Sequence, residues 1–345
     1  MKKLAMIGCG GIGDYHLRHF LNYDDIELAG FCDLIPERAE SFAQKAGGRA
    51  FVRYEDMLDA VKPDMVFVCV PPTAHGAIEM ELIDRRIPFF VEKPVALDLD
   101  LARRIRDAAE KAGVITATGF QCRYSSLVPP TREFVDSHPT VLVSCARVGG
   151  IPAVEWWRKR ATSGGQIVEQ TIHQFDLIRY MLGEPETVFT MGARGFVTGV
   201  EGYDTEDVSV TAVRFASGAL ATIATGCYAQ GAEASDSKIT FGARDARLDH
   251  YILSRAKLFA KAGESGEGLV FKGDGTLAAG GGAQRVYEDD GLAGVRCDRT
   301  FVDAVLTGDA SAIRSPYADA VRSLAFTLAC NESMDTGKPI DVDLG

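Results

Sequence analysis

The stretch from Leu4 to Gly13, Leu-Ala-Met-Ile-Gly-Cys-Gly-Gly-Ile-Gly, constrains this chain more than any other. An apolar run leads straight into Gly8, Gly10 and Gly13, and an amphipathic segment follows. That G-x-G-x-x-G spacing suits a strand-to-helix turn that carries a dinucleotide. Gly8 permits the tight turn, Gly10 lets the backbone approach a pyrophosphate, and Gly13 lets helix and strand pack closely. A helix opening near Gly11 and Ile12 would aim free N–H groups at the phosphates. Glycine turns also join strands to helices for structural reasons alone, so the context decides.

The context is alternation. An apolar run at 26–32 ends in Asp33, twenty residues beyond Gly13. At the carboxyl end of a second strand, that carboxylate can accept hydrogen bonds from ribose hydroxyls and repel a 2′-phosphate, favouring NAD over NADP. The competing role is a helix cap ahead of Pro36. Helices are expected at 15–22, 36–46, 54–61, 74–85 and 99–112, between strands at 50–52, 64–70, 88–91 and 114–118. Such alternation predicts a doubly wound parallel sheet covered on both faces. Its ligands sit beyond the carboxyl ends of the strands, where Asp33, Pro71, Glu92-Lys93 and Gly119-Phe120-Gln121 all fall.

Beyond Gln121 the texture changes. Strands at 140–148, 187–194, 208–215, 220–228 and 238–241 predict an open, largely antiparallel sheet. One helix at 166–182 interrupts them, 263–282 reads as loop with a short strand at 269–272, and a last helix spans 317–334 before a strand near 340–342. The expected fold class is α/β with two domains, 1–121 for the dinucleotide and an α+β unit at 122–345 for substrate and oligomerisation. A chain of 345 residues with 46% hydrophobic and 25% charged content suits that division.

The net charge of −11 argues against nucleic acid or an anionic membrane surface as partner. Eight scattered cysteines with no C-x-x-C pair predict buried, reduced thiols in a cytoplasmic protein, with no metal site. The apolar run after Lys2-Lys3 is too short for a secretory signal, and no run elsewhere is long enough to span a membrane.

Two clusters carry candidate chemistry. Lys93 ends a buried strand, where an ammonium needs a task or a partner, and Glu92 offers the simpler pairing. Pro94 forces the backbone out of the sheet there, and the Lys-Pro bond is one that can adopt the cis form. On a continuous helix, Glu169, His173 and Asp176 share one face. A His–carboxylate pair there can hold an imidazole ready to take a proton from an alcohol; a polar surface cluster or a core histidine satisfied by Asp176 has the same spacing.

Together these residues resemble the glucose–fructose oxidoreductase / inositol dehydrogenase / rhizopine-catabolism (Gfo/Idh/MocA) family. The resemblance spans nearly the whole chain and includes Pro71-Pro72-Thr73-Ala74-His75, Arg123, Trp157-Arg158, Ser163-Gly164-Gly165 and Asn331 to Lys338. It implies a Rossmann domain, a C-terminal open-sheet domain and an active site between them. It further implies Lys93 and His173 as catalytic residues, with Glu169 where many members carry Asp. Cofactor contacts would come from Gly8, Gly10, Gly11, Ile12, Gly13, Asp33, Pro71, Pro72, His75, Glu92, Lys93 and Gln121. Arg123, Tyr124, Trp157, Arg158, Glu169 and His173 would meet a small sugar or cyclic polyol. The expected activity is NAD-dependent oxidation of a secondary alcohol, in a homodimer or homotetramer formed through the C-terminal sheet. A redox-neutral sugar lyase or hydrolase and a non-catalytic NAD-binding regulator are the alternatives.

Overall fold

The computed structural model describes residues 1–260, 270–271, 277–278 and 285–345. The first sheet is built by β1 (Lys2–Ile7), β2 (Ile26–Cys32), β3 (Arg49–Phe51), β4 (Met65–Val68), β5 (Phe89–Val91) and β6 (Thr116–Thr118). All six are parallel, in the order β3-β2-β1-β4-β5-β6. The order reverses between β1 and β4, which opens a crevice beyond their carboxyl ends. Helices α1 (Gly11–Phe20), α2 (Pro36–Ala46), α3 (Tyr54–Val61), α4 (Ala77–Asp84) and α5 (Leu99–Ala112) make the crossovers. The helix expected at 74–85 instead begins as a single 3-10 turn at Pro72–Ala74 and restarts at Ala77. Gly76, at φ +124, separates the two.

Alternate residues of each strand serve opposite cores. Ala5, Ile7, Phe89 and Val91 pack on one face, while Leu4, Met6, Phe67 and Phe90 pack on the other. The second face is closed by α1 and by a helix from the far end of the chain, which contributes Cys297, Phe301, Val302 and Val305.

The second sheet has nine strands: β7 (Thr140–Val148), β8 (Pro185–Ala193), β9 (Val208–Phe215), β10 (Leu220–Gly226), β11 (Asp236–Ala243), β12 (Ala246–Tyr251), β13 (Arg255–Ala260), β16 (Arg285–Glu288) and β17 (Ile340–Asp341). β14 (Val270–Phe271) and β15 (Leu277–Ala278) form a separate pair, and the rest of the expected 263–282 loop lies outside the described residues. Only β7 and β10 run parallel, so the sheet is open and largely antiparallel as expected.

The inner face of the second sheet packs Val143, Ile223, Phe241 and Leu248 against Phe175 and Ile178. Its outer face mixes apolar residues with charged ones: Arg214 lies opposite Leu220, and Lys238 lies opposite Ala146. Leu142 lies opposite Leu220, and Ala224 lies opposite Val210, which pairs in turn with Met191.

Helix α6 (Val128–Ser137) follows the first sheet, then a short α7 (Arg160–Ser163), α8 (Gln166–Glu169) and α9 (Ile172–Leu182). Near the end come α10 (Ala293–Thr307) and α11 (Tyr317–Thr336). α11 belongs to both cores: Tyr317, Val321 and Leu324 join the first sheet, while Phe326 and Cys330 join the second. α6, α7, β12, β13, β15, β16 and α10 are additions to the sequence-based reading. Pro129 and Pro130 look like helix breakers in α6, yet they fall in its first turn, where no intrahelical N–H bond is needed.

All eight cysteines are buried and unbridged, and burial pushes the Cys9 thiol up to about 12. Among the described residues, no helix is long and apolar enough to cross a membrane.

Candidate active site

At the mouth of the first sheet, two glycines of the loop, Gly8 and Gly13, are sterically required. Gly8 has φ +94, and a Cβ there would stand 2.2 Å from the Cys69 carbonyl oxygen at the end of β4. At Gly13 a Cβ would stand 2.4 Å from the Gly8 carbonyl oxygen, so α1 can lie against the turn only without it. Gly10 and Gly11 differ: a Cβ at either would meet nothing within 4 Å. They border open space, and the first-turn N–H groups of α1 have no intrahelical acceptor. Asp33 faces the loop, its Oδ2 accepting the Cys9 N–H at 2.8 Å and its Oδ1 the Ile35 N–H at 2.9 Å. Ile35, not Asp33, is the cap of α2. This cradle, with an unneutralised carboxylate at its edge, fits a dinucleotide.

Beyond β4, Pro71 is exposed and Pro72 buried, and His75 Nδ1–H donates to Glu79 Oε1 at 2.7 Å. Its Nε2 is buried without a partner. Beyond β6, Gln121 Oε1 accepts the Tyr15 hydroxyl at 2.8 Å, tying that end to α1.

The Lys93-Pro94 peptide is cis. Lys93 does not pair with Glu92. Its Nζ instead donates to Glu169 Oε1 at 2.7 Å and to the Glu169 carbonyl at 3.2 Å. That second bond corrects the single helix expected at 166–182. In a continuous helix the Glu169 carbonyl would accept the His173 N–H, but a lysine ammonium occupies it here. The chain breaks between α8 and α9, where the N–H groups of Gln170 and Thr171 both turn back to the Gln166 carbonyl.

The proposed Glu169–His173–Asp176 face is therefore corrected as well. Glu169 serves Lys93, while Asp176 takes the Arg123 guanidinium through both oxygens at 2.6 and 2.8 Å. His173 makes no ion pair with either. Its ring packs edge-on to Phe120 at 6.1 Å, and its Nδ1 has no partner among the described residues. Burial, reinforced by the charges of Lys93 and Arg147, pushes the imidazole down to about 3. Burial pushes the Glu169 carboxyl up to about 7 against the pull of Lys93. A neutral imidazole thus stands near a lysine whose ammonium is shared with a buried carboxyl group.

Trp157 joins this group, with Lys93 Nζ 5.9 Å from its ring centroid and its own Nε1 buried and unpartnered. Three other expected substrate residues do not. Arg123 is 1% exposed and bonded to Asp176, Asp319 and the Arg314 carbonyl. The Tyr124 hydroxyl accepts the Arg314 N–H, and Arg158 donates to the carbonyls of Pro152 and Ala153 in its own loop. Each is satisfied by structural partners.

Glu92 also departs from expectation, turning beneath the sheet to His16 Nε2 at 3.0 Å. The other ring nitrogen of His16 meets Asp298 of α10 at 2.9 Å, and His19 Nδ1 meets the same carboxylate at 2.6 Å. Burial opposes charge on His16, but Asp298 and Glu92 overcome it and raise its pKa to about 10. The three potential ligand atoms of His16, His19 and Asp298 lie within 4.8 Å of one another, arranged as hydrogen-bonded pairs. Sequence reasoning missed this network because its members are far apart in the chain. The histidine three residues beyond Gly13 was its one visible sign.

A glycine cradle at the switch point, a carboxylate just beyond β2 and a lysine near a neutral histidine define a nicotinamide-dependent oxidoreductase. Comparison with known proteins agrees. Residues 2–120 match the oxidoreductase family with an NAD-binding Rossmann fold, and residues 140–247 match the GFO/IDH/MocA C-terminal domain. The chain belongs to the Gfo/Idh/MocA family of NAD-binding oxidoreductases.

It is 30% identical over 227 residues to the myo-inositol 2-dehydrogenase of Thermotoga maritima, covering 64% of this chain and 67% of that one. It is also 30% identical over 204 residues to the D-glucoside 3-dehydrogenase of Escherichia coli, covering 56% and 57%. The match therefore spans little more than half of the second relative's length. The fold is shared with GenD2 from gentamicin A biosynthesis, solved in complex with NAD, at a TM-score of 0.81 and 21% identity over 99% of this chain and 96% of that one.

Proposed function

We propose that the protein oxidises a secondary alcohol of a cyclic polyol or sugar, of the inositol or aldose type, with Lys93, His173 and Glu169 as its catalytic residues. The observation that carries this reading is the Lys93 ammonium reaching into the break that leads to His173. His173, neutral at physiological pH, takes the hydroxyl proton. Lys93 donates a hydrogen bond to the oxygen as negative charge develops on it. Glu169 Oε2, buried without a partner, accepts from a neighbouring substrate hydroxyl. Trp157 offers its ring to the sugar face. Bound NAD supplies the hydride acceptor.

The glycine loop from Gly8 to Gly13 and Asp33 hold the cofactor, with Pro71, Pro72, His75, Lys93 and Gln121 around its nicotinamide side. Glu92 supports that group from beneath, through His16. The names of the relatives favour a small polyol or sugar as substrate. The exposed Leu142, Leu220, Val210 and Met191 on the outer face of the second sheet favour a homodimer or homotetramer formed through it, and light scattering that gives a single 37.2 kDa chain would overturn that.

Incubation with NAD and a panel of inositols and aldoses tests the function directly. Steady accumulation of NADH is expected; sugar conversion without NADH release would point to the redox-neutral alternative. Asp33→Ser removes the charge at the ribose position and is expected to shift the NADP-to-NAD ratio of kcat/KM by about tenfold or more. An unchanged ratio would remove Asp33 from the cofactor site.

A further inference from the structure

We propose that the substrate carries an anionic substituent, carboxylate or phosphate, and that Arg147 is the residue that binds it. This deepens the function proposed above and rests on the Lys93–His173 centre being the reacting site.

Arg147 lies near the end of β7, a central strand, with Thr225 of β10 and Ser237 of β11 as register neighbours. Its guanidinium is half-buried and donates to Gln170 Oε1 in the break between α8 and α9. Gln174, immediately after His173, reaches Ser237 Oγ at 3.3 Å. Arg147 of β7 and Ser237 of β11 thus bond to Gln170 and Gln174, on either side of His173 in the chain, the Arg147 charge acts on the His173 imidazole, and Gln174 Oε1 is buried without a partner. An open cavity of about 330 Å³ lies over Arg147, Val148, Gly149 and Ser235 to Ser237. Gly149 makes room for the guanidinium: a Cβ there would lie 2.1 Å from Arg147 Nη1.

The charge is what lacks an explanation within the chain. Arg123, Arg179 and Arg299 are each held by carboxylates. Among the described residues, no carboxylate comes within 4.0 Å of Arg147. Asp236 borders the same cavity but is exposed and forms no ion pair with it. Lys93 is already paired with Glu169, so among the described residues Arg147 keeps a positive charge with no carboxylate partner at this cavity, in a chain of net charge −11. Burial lowers the Arg147 pKa, the sign of a guanidinium short of a counter-ion. A half-buried cation is costly when unpaired, and a planar guanidinium suits a carboxylate or phosphate through two parallel bonds. The group that completes the pair comes with the substrate, anchored so that a ring hydroxyl is presented to His173.

The test compares kcat/KM for a neutral sugar, its uronate and its phosphate ester, in wild type, Arg147→Met and Arg147→Lys. Wild type is expected to prefer one anionic member over the neutral sugar, which identifies the anion as carboxylate or phosphate. Arg147→Met should lower that preference ratio by about 50-fold, and Arg147→Lys should restore part of it. If Arg147 merely holds Gln170 in place, rates fall for all three sugars and the ratio stays constant, which overturns the inference. Preference for the neutral sugar overturns it too, while leaving the polyol oxidation intact. If no sugar is oxidised, the parent reading fails. The binding step is then read by quenching of tryptophan fluorescence in the enzyme–NAD complex, where equal affinity for uronate, phosphate ester and neutral sugar overturns the role of Arg147.

Discussion

Replacing Lys93 by Met lowers kcat by about 1,000-fold or more, with NAD affinity, followed by fluorescence titration, changing less than about tenfold. Methionine keeps much of the side chain's length and volume but loses its charge and its donors. The 2.7 Å bond to Glu169 Oε1 and the 3.2 Å bond to the Glu169 carbonyl both disappear. A carboxylate stranded in a buried site is ordinarily a severe fault. Here Glu169 already titrates at about 7, so losing the ammonium makes it bind a proton and become neutral. The fold therefore survives and the chemistry does not. The cofactor's phosphates and ribose are held elsewhere, by the turn at Gly8–Gly13 and by Asp33. Turnover within about tenfold of wild type would exclude Lys93 from catalysis.

The second large effect concerns stability. His16→Leu leaves Glu92 and Asp298 buried without the imidazolium between them, at a cost of about 3–5 kcal/mol. That corresponds to a fall in Tm of roughly 5 °C or more. The pH dependence separates a charge effect from a packing effect. The folded-state pKa of His16 is raised to about 10, above an ordinary value of 6.5. Its stabilising contribution is thus complete below pH 6.5 and is lost as pH rises through 10. The gap between wild type and His16→Leu, measured by denaturant unfolding, should narrow by at most about 1.4 kcal/mol per pH unit across that window. A gap equal at pH 6 and pH 9 would show that His16 is not an imidazolium in the folded protein.

The parallel sheet was legible in the sequence because its signals are local. Short apolar runs, the glycine spacing and Asp33 each depend on neighbours along the chain, and α2, α3 and α5 fall on their expected residues. What escaped depends on partners far away. The break before His173 coincides with a bond from a lysine 76 residues before Glu169, and nothing in the local spelling of 166–182 reports it. Arg123 reads as a free cation until Asp176, 53 residues on, is found to claim it. α10 hides its amphipathic character because Asp298 sits on its buried side, matched by a histidine 282 residues away. The turn between β12 and β13 passes through Leu253 at φ +53, a conformation usually signalled by glycine or asparagine. Arg147 gave no sequence signal, since it belongs to no recognisable spacing.

The return of α10 and α11 to the first sheet has a consequence for synthesis. A ribosome completes β6 about 175 residues before it begins α10. At ordinary elongation rates that interval is on the order of ten seconds or longer. Through it, Phe67 and Phe90 wait for Phe301 and Val302, and Val66 and Phe89 wait for Tyr317 and Leu324. The dinucleotide-binding layer emerges first and is finished last. The nascent chain therefore carries an uncovered apolar surface until its C-terminal helices arrive, and a fragment ending after β6 would keep that surface permanently open to chaperones and to aggregation.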